Sequence, residues 1–115
     1  MKTVFEKIID REIPSNIVYE TDEVIAFKDV DPQAPVHVLI VPKHRIERID
    51  AAKPEDQKLL GAILLAAAEV ARKMGVDSTG YRLVINNGKA GGETVPHLHC
   101  QLLGGKPLGW PPYAY

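Results

Sequence analysis

The segment His97-Leu98-His99-Cys100-Gln101-Leu102-Leu103 combines the alternation of a half-buried β-strand with side chains that can do chemistry. Successive side chains of a strand point to opposite faces. The leucines and the cysteine at alternate positions form an apolar face suited to a core, and the two histidines share the other face with the glutamine. Such a polar row is a poor core element, because every buried polar group needs its own partner. We therefore predict that 96–103 is a strand with one functional face.

The loop before this strand, 87–94, is rich in glycine. Gly88, Gly91 and Gly92 allow the backbone to approach a ligand closely. Backbone N–H groups and the Thr94 hydroxyl are suited to holding phosphate oxygens. Imidazole is a competent nucleophile near neutral pH, because much of it is uncharged there. The loop and the histidines together predict phosphoryl or nucleotidyl transfer.

The rest of the chain predicts an α+β fold. Thr3 and Glu6 have the spacing of a capping box, and Gly75 suits the end of a long helix. The predicted helices are 4–10 and 54–74, and the other predicted strands are 17–20, 24–27, 36–41 and 81–86. No strand–helix–strand alternation is sustained, so we expect a five-stranded, mainly antiparallel sheet with two helices. The long helix is expected to bury a stripe of Leu60, Ile63, Leu64, Ala67, Ala71 and Met74.

Composition narrows the class of protein. A chain of 115 residues suits one domain, 1–115, and a net charge of -1 without a basic run argues against nucleic acid as a partner. The single cysteine, Cys100, cannot form an intrachain disulfide. The N-terminus is charged too early for a signal peptide, and the longest apolar run, 62–68, is too short to span a membrane. We expect a cytoplasmic protein that does not bind membranes.

Several candidate residues also have plainer interpretations. His37, His97 and His99 could supply three imidazoles to zinc, but a His-x-His pair is a loose signal, and we expect neither a metal nor another cofactor. His37 could be a core histidine with satisfied hydrogen bonds, and Asp29 and Asp31 could simply form a turn before proline. The basic residues that follow the third strand are expected to form a solvated face. They are Lys43, Arg45 and Arg48, with His44 at the surface.

Separated blocks from about Phe5 to Trp110 resemble the histidine triad superfamily, and within it the branch of histidine triad nucleotide-binding proteins. Their order along nearly the whole chain makes the resemblance far more specific than a lone His-x-His. The blocks are 8–9 with 12–14, 26–35 followed by His37, 80–82, Asn86, 91–92, 97–99, 103–105 and 110–112.

The resemblance implies a role for each matching residue. His99 is similar to the nucleophile that forms a nucleotidyl-histidine intermediate, and His97 and His37 to the imidazoles that orient it and stabilise charge. Asp29 matches the acid that binds ribose. The remaining implied nucleotide contacts are Phe5, Ile8 and Val30 at the base, Asn86, Gly92 and Thr94 at the phosphate or leaving group, and Glu93 and Trp110.

One position departs from the resemblance, because Gln101 stands where the nucleotide-binding branch usually has a third histidine. An amide can donate a hydrogen bond to phosphate, but it cannot transfer a proton near neutral pH. We therefore hypothesise that the intermediate still forms, with amine leaving groups protonated less efficiently or by another group. Glutamine here is similar to more distant nucleotidyltransferase branches.

The resemblance implies a hydrolase that cleaves purine nucleoside phosphoramidates and binds purine nucleoside monophosphates. It also implies a homodimer in which two five-stranded sheets join into a larger one. Two alternatives stay open: a dinucleoside polyphosphate hydrolase or nucleotidyltransferase, and a nucleotide-binding regulatory module with little turnover.

Overall fold

The computed structural model describes residues 1–113, so the last two residues of the predicted domain and of its aromatic tail, Ala114 and Tyr115, lie outside the described residues. The described part has five strands: β1 (Ile17–Glu20), β2 (Val24–Lys28), β3 (Val36–Pro42), β4 (Tyr81–Val84) and β5 (Cys100–Gly104). They form one sheet in the order β1-β2-β3-β5-β4, and all neighbours are antiparallel. The predicted α+β fold is confirmed.

Helix α1 (Val4–Ile9) begins at the predicted capping box. The Thr3 hydroxyl accepts a hydrogen bond from the Glu6 backbone N–H at 3.2 Å, and the Glu6 carboxylate accepts from the Thr3 backbone N–H at 2.9 Å. These two bonds satisfy N–H groups that a helix start leaves unpaired. The helix buries Phe5 and Ile8 on one face of the sheet, against Ile25, Phe27, Leu39 and Val41.

Helix α2 (Gln57–Lys73) follows a 3₁₀ turn at Pro54–Asp56 and covers the other face of the sheet. Its buried residues are Ile63, Ala66, Ala67, Val70 and Ala71. The prediction that Leu64 belongs to the buried stripe was wrong, because the helix turns Ala66 and Val70 toward the sheet and leaves Leu64 49% exposed. Gly75 ends the helical region with φ +74, a left-handed conformation that favours glycine. No helix within residues 1–113 has the length and apolar character needed to cross a membrane.

The last strand begins later than predicted. Residues 93–99 run outside the sheet, and strand pairing begins at Cys100, opposite Ile40 of β3. Pro42 lies where β3 would continue the pairing, but it has no N–H to donate and its carbonyl is taken by a side chain. Leu98 donates its N–H to the carbonyl of Ile46 at 2.6 Å instead. The core-facing alternation persists through this segment, since Leu98, Cys100 and Leu102 all lie in the core under α2.

Candidate active site

A cleft of about 430 Å³ opens between α1, the end of β2 and the 93–99 segment. Its size and its mainly apolar walls suit a small-molecule ligand. The sheet face under α1 supplies its floor, and the loops at both ends of that face supply its rim. Seven of the residues predicted for the site line it: Phe5, Ile8, Asp29, Val30, Thr94, His99 and Gln101.

The hydrogen bond of the His99 imidazole leaves one ring nitrogen with a lone pair on the side of the cleft. Its Nδ1 lies 2.8 Å from the carbonyl oxygen of His97, which can only accept, so Nδ1 carries the proton and Nε2 carries a lone pair. Nε2 of His99 makes no hydrogen bond with the described residues. Every buried side-chain nitrogen and oxygen within residues 1–113 has a hydrogen-bond partner, so Nε2 is not buried, and it opens to the cleft that His99 lines. The Phe5 ring packs edge-on against this imidazole, with centroids 4.9 Å apart. The ring is thus held on one side and reactive on the other.

The electrostatic surroundings keep His99 uncharged. Burial lowers the pKa of His99, because desolvation penalises the imidazolium. The bond to the His97 carbonyl and the charges of Asp29 and Glu93 act in the opposite direction and are weaker. A nucleophilic nitrogen must be unprotonated, so this environment suits attack on phosphorus at neutral pH.

His97 lies behind the cleft. Its side chain is 0% exposed, its Nε2 donates to the Pro42 carbonyl at 2.8 Å, and its Nδ1 lies 3.4 Å from the Thr3 hydroxyl. Burial lowers the pKa of His97 as well. The hydrogen bond between His97 and the His99 ring is made by the His97 backbone carbonyl. The orienting effect that the resemblance assigns to the His97 imidazole therefore has a backbone route in this structure.

A chain of directed hydrogen bonds joins the other polar residues. The Gln33 N–H donates to His37 Nδ1 at 2.9 Å, which places the His37 proton on Nε2, and Nε2 lies 2.8 Å from Gln101 Oε1. The Gln101 amide donates to Asn86 Oδ1 at 2.5 Å, and the Asn86 amide donates to the Gly91 carbonyl at 2.7 Å. The chain fixes the Gln101 amide with its nitrogen toward Asn86 and ties β3 to the glycine-rich loop.

The two carboxylate oxygens of Asp29 lie in different surroundings. Oδ1 accepts the Asp31 backbone N–H at 2.8 Å, which is the turn-forming bond that the plainer interpretation expects. Oδ2 lies 3.5 Å from His37 Nε2, and the residue lines the cleft. The turn geometry therefore leaves one side of the carboxylate available to a ligand.

The glycine-rich loop is closed by Glu93. Its carboxylate accepts the Gly88 N–H at 2.8 Å and two hydrogen bonds from Arg48, at 2.9 and 3.0 Å. Gly92 has φ +84, a left-handed conformation that favours glycine, and a Cβ there would make a tight contact of 3.3 Å with Asn86 Nδ2. Glu93 thus faces Arg48 and the loop backbone, whereas the next residue, Thr94, lines the cleft.

Trp110 lies away from this cleft. Its side chain is 81% exposed, and the chain on either side of it is held by Arg82, which donates to the carbonyls of Gly109 at 2.6 Å and Pro112 at 3.2 Å. A role for Trp110 in nucleotide binding stays a prediction. Within the described residues, no group of three or more His, Cys, Asp or Glu side chains is arranged to hold a metal ion.

The basic residues predicted to form a solvated face are partly exposed, and each has a partner in the folded chain. Arg45 donates to the Pro96 carbonyl at 3.0 Å, Arg48 pairs with Glu93, and Lys43 pairs with Glu20 at 2.8 Å. Their partners lie far away in sequence, so no local pattern could have indicated them. Cleft-lining residues that the sequence analysis did not select include Pro14, Ser15, Lys28, Leu39 and Val95.

The buried histidines predict how stability depends on pH. Both His97 and His99 have pKa values below the ordinary 6.5, so between the lowered values and 6.5 the unfolded chain binds more protons than the folded chain. The unfolding free energy is therefore expected to lose nothing to these two histidines above pH 6.5, and to decrease as the pH falls below 6.5. The decrease is measurable as a lower urea midpoint at about pH 5.5 than at about pH 7.5.

The exposed His44 provides the control, since His44→Ala should leave this pH dependence unchanged. Glu93 adds its own loss only in more acidic solution, as the pH falls below the ordinary pKa of 4.5, because Arg48 and the Gly88 N–H lower the pKa of Glu93 to about 2 in the folded chain. Equal urea midpoints at the two pH values would contradict the prediction.

The fold and the site define a class of small α+β proteins that present an uncharged histidine to an apolar cleft beside a glycine-rich loop. Comparison with known proteins agrees with this class. The HIT domain family matches residues 10–108, and the chain belongs to that family.

The relatives are similar over nearly the whole chain. A purine nucleoside phosphoramidase of Escherichia coli is 47% identical over 108 residues, which cover 94% of this chain and 91% of that protein. A HIT family hydrolase from Legionella pneumophila has a TM-score of 0.94 at 43% identity, covering 96% of this chain and 99% of that one. A histidine triad nucleotide-binding protein from Candida albicans has a TM-score of 0.82 at 31% identity, covering 99% and 86%. The resemblance recognised in the sequence is confirmed.

Proposed function

We propose that this protein is a hydrolase that cleaves purine nucleoside phosphoramidates through a nucleotidyl intermediate on His99. The observation that carries the proposal is the unprotonated Nε2 of His99, which opens to the cleft beside the glycine-rich loop. The Nε2 lone pair attacks the α-phosphorus, and the bond from phosphorus to the amine breaks as the departing nitrogen takes up a proton from solvent. Water then attacks the same phosphorus and gives up a proton to solvent, which releases the nucleoside monophosphate and restores His99.

The cleft supports a nucleotide as the ligand. Phe5, Ile8 and Val30 give it apolar walls suited to a base, and Asp29 offers a carboxylate at the rim suited to ribose hydroxyls. Thr94 and the loop before it are adjacent to His99, where the phosphate would lie. The similarity to a purine nucleoside phosphoramidase supports both the hydrolase activity and the purine.

Mass spectrometry after brief incubation with an adenosine phosphoramidate tests the proposal. We expect an adenylyl adduct on the peptide that contains His99, at a level that rises and then decays as substrate is consumed. Quenching with denaturant at alkaline pH, followed by digestion at alkaline pH, preserves the phosphorus–nitrogen bond, which acid would hydrolyse. An adduct on another residue, or turnover without an adduct, would contradict the mechanism.

A second candidate substrate class is favoured by the hydrogen bonds of Gln101. The bonds from His37 and to Asn86 hold a side chain that cannot give a proton to the leaving group. Leaving groups that depart without a proton, such as the phosphates of dinucleoside polyphosphates, suit this arrangement. Product analysis with a diadenosine polyphosphate, with and without added inorganic phosphate, distinguishes hydrolysis from nucleotidyl transfer.

We also propose that the protein is a homodimer. Edge strand β4 exposes Tyr81 and Leu83, and α2, which covers one face of the same sheet, exposes Leu64 and Leu65. Large exposed apolar patches are typical of an interface, and we assign these four residues to it. Sedimentation is expected to give twice the chain mass of 12.7 kDa, and Leu83→Glu should shift the protein toward the monomer. A monomeric parent protein would contradict the proposal.

A further inference from the structure

We propose that Arg48 is a positioning residue, which holds the glycine-rich loop in the conformation that binds the substrate phosphate. The inference rests on the proposed function, because it assigns the phosphate to that loop. Arg48 touches neither His99 nor the cleft in the contacts described above, so its effect passes through Glu93.

The geometry of the Arg48–Glu93 pair is that of a clamp. Arg48 Nε and one terminal nitrogen donate to different oxygens of the Glu93 carboxylate, at 2.9 and 3.0 Å. A bidentate pair of this kind fixes both distance and orientation, which a single charge contact does not. The Glu93 side chain is only 11% exposed, so solvent weakens the pair less than it would an ion pair at the surface.

Glu93 connects Arg48 to the glycine-rich loop. One of its oxygens also accepts the Gly88 N–H at 2.8 Å, and its backbone N–H donates to the Gly88 carbonyl at 3.1 Å. The two ends of the 88–93 loop are therefore joined through one side chain. Thr94, the residue after the clamp, lines the cleft, so its hydroxyl depends on where Glu93 is held.

Charge gives Arg48 a second effect on the same site. A carboxylate close to a bound phosphate would repel it, and Arg48 neutralises the carboxylate that the loop uses to close itself. Removal of Arg48 would leave Glu93 ionised at neutral pH. Arg48 and the Gly88 N–H together lower the pKa of Glu93 from 4.5 to about 2, and without Arg48 the Gly88 bond would still lower it. Loss of Arg48 therefore both loosens the loop and adds uncompensated negative charge.

Residues 45–48 form a framework that holds residues 93–99, the segment that contains His99. Arg45 donates to the Pro96 carbonyl at 3.0 Å, and the Ile46 carbonyl accepts the Leu98 N–H at 2.6 Å. Residues 93–99 lie outside the sheet, so these contacts replace the strand pairing that would otherwise hold them. Arg48 is the member of this framework that acts on the phosphate loop.

Titration calorimetry with AMP and with adenosine tests the proposal, beside single-turnover formation of the His99 adduct. We expect Arg48→Met to weaken AMP binding and to slow adduct formation by about 10- to 100-fold each, the range expected when a reacting group is displaced. Adenosine affinity should stay within about twofold of the parent value, because the clamp is assigned to the phosphate and not to the base. Arg48→Lys keeps the charge but loses the bidentate geometry, so its AMP affinity and its rate of adduct formation should lie between those of the parent and those of Arg48→Met.

A double substitution separates charge from position. Arg48→Met combined with Glu93→Gln removes both charges, so it should bind AMP more tightly than Arg48→Met alone while adduct formation stays slow. Arg72→Met is the matched control, because it removes an ion pair with Glu69 on the exposed side of α2, and it should behave as the parent.

Each outcome bears on a different claim. Arg48→Met with parental AMP affinity and parental adduct formation would overturn the positioning role. An equal loss of AMP and adenosine affinity would also overturn it, since that result indicates general damage to the cleft. A parent protein that neither binds AMP nor forms an adduct on His99 would refute the proposed function itself. If Arg48→Met does not fold, Arg48→Lys alone decides the question, because it keeps the charge and loses the bidentate geometry, and it should weaken AMP binding more than adenosine binding.

Discussion

His99→Ala is expected to reduce turnover of an adenosine phosphoramidate by roughly 10,000- to 1,000,000-fold, the range seen when the nucleophile of a covalent mechanism is removed. The loss is this large because, in the proposed mechanism, the ring supplies the lone pair that forms the bond to phosphorus, and the His97 backbone carbonyl orients that ring. AMP binding should persist, since the cleft walls and the loop are unchanged. Steady-state kinetics and calorimetry on the same preparation measure the two effects.

His44→Ala is the matched control for this experiment. It removes an exposed histidine outside the cleft and should keep parental kinetics. If His99→Ala retains more than a hundredth of the parental rate, the covalent mechanism is wrong. If the parent itself binds AMP with no detectable turnover, the regulatory-module hypothesis from the sequence gains support over the enzyme.

Gln101→His is expected to have the next largest effect, and it should increase activity. An imidazole at this position can donate a proton to a departing amine, and one general acid typically contributes about 100- to 10,000-fold. The gain should appear with alkylamine leaving groups, which need a proton. The gain should be small with a diadenosine polyphosphate, whose phosphate leaving group departs without a proton. Rates for both substrates with the parent and the variant measure the difference.

Gln101→Leu distinguishes the added acid from a disturbed hydrogen-bond chain. Leucine breaks the bonds to His37 and Asn86 without supplying a proton, so it should not raise the amine rate. If Gln101→His leaves the ratio of the two substrate rates unchanged, residue 101 does not limit proton transfer, and the hypothesis about the missing histidine fails.

Local patterns were sufficient for the secondary structure that depends on neighbours in sequence. The Thr3–Glu6 capping box, the end of the long helix at Gly75 and the alternation around Cys100 all arise within a few residues, and the structure agrees with each. Leu64 was placed on the wrong side because a helix stripe several residues wide does not specify which edge meets the sheet. The start of β5 was misplaced for a related reason, since it depends on Pro42 across the sheet.

The sequence by itself determined the α+β class, the family and the proximity of the glycine-rich loop to His99, because these depend on periodicity, residue type and short separations. Only the tertiary structure decided that His37 reaches Gln101, that His97 is buried behind His99, and that Arg48 reaches Glu93. The partners in these interactions are separated by many positions: Arg48 and Glu93 by 45, His97 and Pro42 by 55, and His37 and Gln101 by 64. Each of these three interactions depends on a partner that the folded chain brings near, and no local pattern contains that partner.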